Sequence, residues 1–209
     1  MFDKLGQYSE SLIKDSDLIS KDRKDLLDEL SIYVKEKLIS RKEVHLVFIC
    51  THNSRRSHMA QIWAQAAAHY YGLENIKSYS GGTQKTAFNL SAVKALQEAG
   101  FKIKEIKEGK NPKYKVRYDK KANPLICFSK VYSHKKNPVE GFVAIMTCSD
   151  ADEACPIVEG ADYRTTIKYE DPKKYDGTDL QEQAYREKSM QIGREMFYVF
   201  GKVAGLLKY

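Results

Sequence analysis

The chain has 209 residues, of which 42% are hydrophobic and 30% charged, with four cysteines and a formal net charge of +7. This composition supplies a core for one α/β domain with decorations, but nowhere an apolar run long enough to cross a bilayer. The first residues, Met1 to Gln7, lack the apolar centre of an export signal, so a cytoplasmic protein with reduced thiols is expected rather than a disulfide framework.

Residues 1–43 read as a helical extension. From Lys24 to Leu38, an apolar stripe of Leu26, Leu27, Leu30, Tyr33, Val34 and Leu38 lies opposite the charges. The main unit, 44–209, opens with Val44 to Ile49, which is apolar on both faces as a covered parallel strand requires. That run stops at Cys50. A loop, Thr51-His52-Asn53-Ser54-Arg55-Arg56-Ser57, then leads into a helical stretch, Met59 to Tyr71, with Met59, Ile62, Trp63, Ala66, Ala67 and Tyr70 on one stripe. A strand over 76–80 runs into Gly81-Gly82, and a helix from Asn89 to Ala99 is stopped by Gly100. Phe101 to Ile103 is short and strand-like. Residues 105–140 form an insertion with candidate strands Tyr114–Tyr118 and Leu125–Val131, separated by Asn123-Pro124. Phe142 to Thr147 is another apolar strand, ending at Cys148, and a last helix runs from Asp179 to Leu207. Alternating strands and helices predict a doubly wound parallel sheet with its working loops at the strands' carboxyl edge, an edge that Cys50 and Cys148 can share.

The charge is unevenly spread. Between Lys102 and Pro138 stand twelve Lys and Arg against three acids, so this segment carries the whole basic excess. Interleaved Tyr114, Tyr118, Phe128 and Tyr132 would suit an anionic partner surface. A lysine-fringed hairpin is the plainer reading, because no nucleic-acid motif accompanies the charge; neither nucleic acid nor membrane is expected as a partner. Steering of anionic substrates is a third reading.

The stretch from Cys50 to Arg56 has the residue types of an anion cradle with a nucleophile at its base. Loop N–H groups and the positive end of the following helix converge where a tetrahedral anion would sit, and the same potential favours a thiolate at Cys50. Arg56 can grip two oxygens of the anion at once. Ser57 can cap the helix or donate to the thiolate. The bland alternative is a buried cysteine closing a strand beside a surface arginine. A second pair, Cys148 and Cys155, brackets an acidic stretch that reads as a mobile loop. Zinc explains the pair poorly, since no histidine or close cysteine pair completes a ligand set; a pair of core cysteines remains open, and Cys127 reads as a core thiol.

Phe48-Ile49-Cys50-Thr51-x-Asn53-Ser54-x-Arg56-Ser57-x-Met59-Ala60 resembles the phosphate loop shared by low-molecular-weight protein tyrosine phosphatases and thioredoxin-coupled arsenate reductases. The resemblance covers Val44 to Lys104 and resumes from Phe142; residues 1–43 and 105–140 have no counterpart in it. Thr147-Cys148-Ser149-Asp150-Ala151-Asp152-x-x-Cys155-Pro156 resembles the redox segment of those arsenate reductases, which phosphatases of this fold lack. The resemblance implies Cys50 as nucleophile, Arg56 with Thr51, His52, Asn53, Ser54, Arg55 and Ser57 as the oxyanion cradle, and Asp171 of Asp171-Pro172 as general acid. It further implies a disulfide relay through Cys148 and Cys155, no bound metal or cofactor, and thioredoxin as electron donor and partner. The alternative it allows is phosphomonoester hydrolysis through a cysteinyl-phosphate, with a phosphoprotein as substrate, using Cys50, Arg56 and Asp171 alone. A non-enzymatic phosphate or phosphoprotein binder is a third expectation. His52 and Arg55 stand where relatives often carry glycine and cysteine, so His52 is expected either to take a left-handed backbone angle or to touch the substrate or thiolate.

Overall fold

The computed structural model describes residues 1–40 and 43–207; residues 41 and 42 of the N-terminal stretch and the last two of the chain lie outside the described residues. The first strand, β1 (Val44–Cys50), is central. Its partners are β2 (Ile76–Gly82) on one side and β6 (Phe142–Met146) on the other, and β7 (Ala161–Thr166) completes a four-stranded sheet in the order β2-β1-β6-β7. All three pairings are parallel. The chain leaves β1 in one direction, returns, and continues on the other side, so the sheet is doubly wound with its switch point beside β1. Ligands of such sheets bind at the carboxyl ends next to the switch point, where Cys50 and Cys148 lie.

The alternation of β1 divides the core. Leu46 and Phe48 face the larger layer, built from α1 (Asp3–Lys14), α2 (Lys21–Ile39), α3 (Arg56–Tyr70), α4 (Leu90–Ala99) and α6 (Gln181–Leu206). Val47 and Ile49 face a smaller cluster with Phe142, Ala144, Met146, Ala151 and Val158. The N-terminal helices are part of the larger core: Leu5, Leu12, Leu27, Leu30 and Val34 are fully buried in it. Helix α3 is buried almost all round rather than on one stripe, and the sequence-predicted stripe ends short, because Tyr70 is exposed. The reason is position: α3 lies against both the sheet and α6, with Gly193 of α6 close enough that a Cβ there would meet the Trp63 ring at 3.0 Å.

Residues 102–127 fold as a second, antiparallel sheet, β3 (Lys102–Lys107), β4 (Lys113–Arg117) and β5 (Leu125–Cys127). Tyr114, Val116, Tyr118 and Cys127 point into the main core, while the lysines line the outer positions. The predicted strand to Val131 stops at Cys127; residues 128–132 leave the antiparallel sheet, and Val131 pairs in parallel with Gly82 instead. Two further differences concern the stretch after Cys148. Ser149–Ala154 is a short helix, α5, and not a loop, and it is followed by β7, a strand whose sequence Ala-Asp-Tyr-Arg-Thr-Thr has no apolar alternation.

Candidate active site

The loop after β1 is held from outside by its carbonyls. Cys50 O accepts from the Thr83 amide (3.2 Å), Thr51 O from the Gln84 amide (2.8 Å), and Ser54 O from the Asn89 amide (2.9 Å). His52 O accepts from the hydroxyls of Ser129 (2.9 Å) and Thr86 (3.2 Å). With every peptide trans, each tethered carbonyl turns the following N–H the opposite way, so the amides of Thr51, His52, Asn53 and Arg55 point away from these tethers. These four amides, at the start of the fifteen-residue α3, are the ones that an anion nest at a helix N-terminus would use.

Asn53 fixes the loop's shape. It, not His52, takes the left-handed backbone angle, with φ 43°; asparagine tolerates this region because its short amide finds local partners. Its Oδ1 accepts from the Lys130 amide (2.9 Å), and its Nδ2 donates to Ser57 Oγ (2.9 Å) and to His58 Nδ1 (3.1 Å). Because Ser57 Oγ already accepts from Asn53, its own hydrogen is free for Cys50 Sγ, 3.1 Å away. Ser57 therefore serves the thiol and does not cap the helix; Arg55 occupies the cap position without a side-chain cap. His58, absent from the sequence reading, is fully buried against Phe88, with ring centroids 4.1 Å apart. Burial, then the charge of Lys130, pushes it well below the usual histidine range, so it stays neutral and accepts from Asn53.

The segment 128–132 was not foreseen as part of the site, and it supports the loop. Asn111 clamps Ser129 with two hydrogen bonds, 2.7 Å from its amide to the carbonyl and 3.1 Å in return. Lys130 is buried and lowered to about 8 by that burial; Cys127 beside it is buried and pushed up to about 12 for the same reason, which makes it an inert thiol. Gly82 lies under the loop, where an added Cβ would meet Thr51 O at 2.7 Å and Asn53 N at 2.8 Å.

Asp171 comes to the loop because backbone pairing continues past β7: the Ile167 amide donates to Met146 O and the Tyr169 amide to Thr147 O. Arg56 donates from Nη1 to Tyr169 O (3.0 Å) and from Nη2 to Asp171 Oδ2 (2.8 Å). Arg55 directs its guanidinium to the same carboxylate, with Nε at 2.8 Å from Oδ1. Burial alone would raise the Asp171 carboxyl; Arg56, the Lys173 amide and Arg55 outweigh it and hold the group below its ordinary value. Tyr169 packs beneath the Arg23 guanidinium of α2, 4.9 Å from the ring centre, and Arg23 is paired with the buried Glu195 of α6.

Cys50 and Cys148 belong to one buried apolar cluster and Cys155 packs against it, all three as free thiols. Cys50 and Cys148 are 3% and 1% exposed, and Cys155 is half-buried at the cluster's edge. Thr51 Oγ1 stands 3.5 Å from Cys148 Sγ, linking the loop to the second thiol. Cys148 and Cys155 flank α5 at its two ends. The helix is tied down through Asp152, whose carboxylate takes the Thr166 hydroxyl (2.7 Å), Lys168 Nζ (3.0 Å) and the Arg164 guanidinium. Burial would raise Asp152, but these three partners lower it to about 2. Among the described residues, no group of three or more His, Cys, Asp or Glu side chains is gathered as a metal would require.

A doubly wound α/β sheet with a Cys-x5-Arg loop at the end of its first strand defines the class. Residues 45–119 match the family described as low molecular weight phosphotyrosine protein phosphatase. An arsenate reductase of Bacillus licheniformis is 31% identical over 147 residues, which cover 70% of this chain and 86% of the relative. An arsenate reductase of Bacillus subtilis is 27% identical over 140 residues, 67% of this chain and 82% of that one. In three dimensions, the low-molecular-weight protein tyrosine phosphatase of T. tengcongensis superposes with a TM-score of 0.52 at 17% identity, over 76% of this chain and 99% of that one. The chain belongs to the low-molecular-weight phosphotyrosine phosphatase superfamily, with arsenate reductases among its relatives in sequence, and is an enzyme of that kind.

Proposed function

We propose that this enzyme reduces arsenate with three thiols and passes the resulting disulfide to thioredoxin. The observation that carries the reading is the gathering of Cys50, Cys148 and Cys155 at one cluster, since a phosphatase needs only the first. Cys50, receiving the Ser57 hydroxyl, attacks arsenate held by the loop amides and Arg56, and water leaves with help from Asp171 as proton donor. Arsenic is still pentavalent in this thiol ester. Cys148 thiolate then attacks Cys50 Sγ; the sulfur–arsenic bond breaks with its electron pair going to arsenic, and arsenite departs as a Cys50–Cys148 disulfide forms. Cys155 thiolate attacks Cys148, releasing the Cys50 thiolate and leaving a Cys148–Cys155 disulfide. Cys155, the most exposed of the three, presents that bond to a dithiol donor of the thioredoxin type, which restores both thiols.

Arsenate-dependent NADPH oxidation, coupled through thioredoxin and thioredoxin reductase, tests this. Wild type should turn over continuously, and Cys155→Ser should release about one arsenite per enzyme and stop. A wild type that leaves NADPH untouched while cleaving an aryl phosphate would replace the reading with phosphomonoester hydrolysis by Cys50, Arg56 and Asp171.

A further inference from the structure

We propose that Arg55 is a positioning residue for Asp171, clasping the acid from the loop itself so that the site favours a free oxyanion over an ester. The inference rests on the reading of Asp171 as proton donor. Two Asp171 oxygens meet four donors: Arg55 Nε (2.8 Å) and the Lys173 amide (3.0 Å) at Oδ1, Arg56 Nη2 (2.8 Å) and Arg55 Nη2 (3.4 Å) at Oδ2. Arg55 thus holds the carboxylate with two nitrogens, a fork that no amide or thiol at this position could supply. Its side chain is 11% exposed and that of Asp171 27%, so the pair is shielded enough to matter electrostatically. Arg56 gives Asp171 one nitrogen and Tyr169 O the other; Arg55 adds a second charge on the acid.

The rest of the surroundings leaves this balance to the arginines. From α6, Tyr185 is buried nearby, but its hydroxyl is spent on Asp176 (2.8 Å). Glu187 and Lys188 of α6 line the cavity that also borders Asp171 but bond to Gln183 and Gln191, and on the acid's own stretch Glu170 pairs with Lys174. Asp176 is the other carboxylate whose charge bears on Arg55.

A carboxyl held below its ordinary value is a poor proton donor at neutral pH. The leaving oxygen of a phosphate monoester carries no proton and needs one from the enzyme, whereas arsenate near neutrality carries protons on its own oxygens. The clasp therefore penalises ester cleavage more than attack on arsenate.

The direct test is a carboxyl carbon NMR titration of Asp171 in the full chain, comparing wild type, Arg55→Gln and Arg55→Lys. Arg55→Gln should raise the midpoint by about one pH unit, and Arg55→Lys should restore most of the depression. In parallel, the descending limb of kcat for phenyl phosphate should move up in Arg55→Gln by the same amount, a gain of about tenfold at pH 7. The gain should be smaller for p-nitrophenyl phosphate, whose leaving group needs less help. An unchanged midpoint in folded Arg55→Gln overturns the proposal. Failure of wild type to reduce arsenate would overturn the functional reading alone, because the titration reports on the clasp in a protein with no turnover.

Discussion

The two edges of the site are built in opposite ways. The loop around Cys50 is fastened at its carbonyls by Thr83 and Gln84 just past β2, by the α4 cap and by Ser129, and its one left-handed residue is pinned at both ends of its amide. The segment between Cys148 and Cys155 is a six-residue helix held to β7 by side chains: Arg164 and Thr166 reach the Asp152 carboxylate, and Arg164 also donates to the carbonyls of Asp152 and Cys155. The first arrangement suits a cradle that must present the same amides every cycle. The second suits an element whose two ends approach each other in the proposed relay, since a helix keeps them apart until it opens.

The sharpest way to break the contrast is Gly82→Ala. The new Cβ would strike backbone atoms of Thr51 and Asn53, which cannot rotate away, so the loop must shift. We expect a loss of about 3 kcal/mol in denaturant unfolding and about 100-fold in arsenate turnover, because small displacements of a catalytic loop are costly. A variant with wild-type kcat would show that the cradle is not rigidly held.

Asp152→Asn probes the other edge with a smaller effect. Since the folded carboxyl is lowered to about 2, its stabilisation is complete above about pH 4 and is lost as the pH falls through 2. The difference in stability between wild type and Asp152→Asn should be about 1–2 kcal/mol near neutrality and vanish below about pH 2, with faster amide exchange confined to α5. A difference that does not depend on pH would remove the carboxylate from the account. Cys127→Ala should do least: thioredoxin-coupled turnover within about twofold of wild type, at a cost of about 1 kcal/mol. A marked loss of turnover would bring the fourth thiol into the relay.

Much of the cradle was legible because it is local. Strand, cysteine, loop and helix are consecutive, and the apolar faces of Leu46, Phe48 and Val47, Ile49 announce a strand covered on both sides. What stayed hidden depends on distant partners. Nothing in Arg55 says that its guanidinium will meet a carboxylate 116 residues later, and Ser129 reaches His52 across 77 residues. Helix α5 and β7 escaped for a different reason. Ser-Asp-Ala-Asp-Glu-Ala has no apolar stripe, and β7 is an edge strand whose Arg164 and Thr166 serve Asp152 rather than the core.

Arg23 lies over the ring of Tyr169, and the carbonyl of Tyr169 takes one arm of Arg56. From the N-terminal helices to the anion cradle is thus a matter of two contacts. A protein trimmed to begin at β1 would keep every residue of the Cys50 loop, yet strip the cover from the peptide on which its arginine rests. The N-terminal helices act as a roof over the catalytic machinery, and the site is not a cassette that can be lifted out of this chain intact.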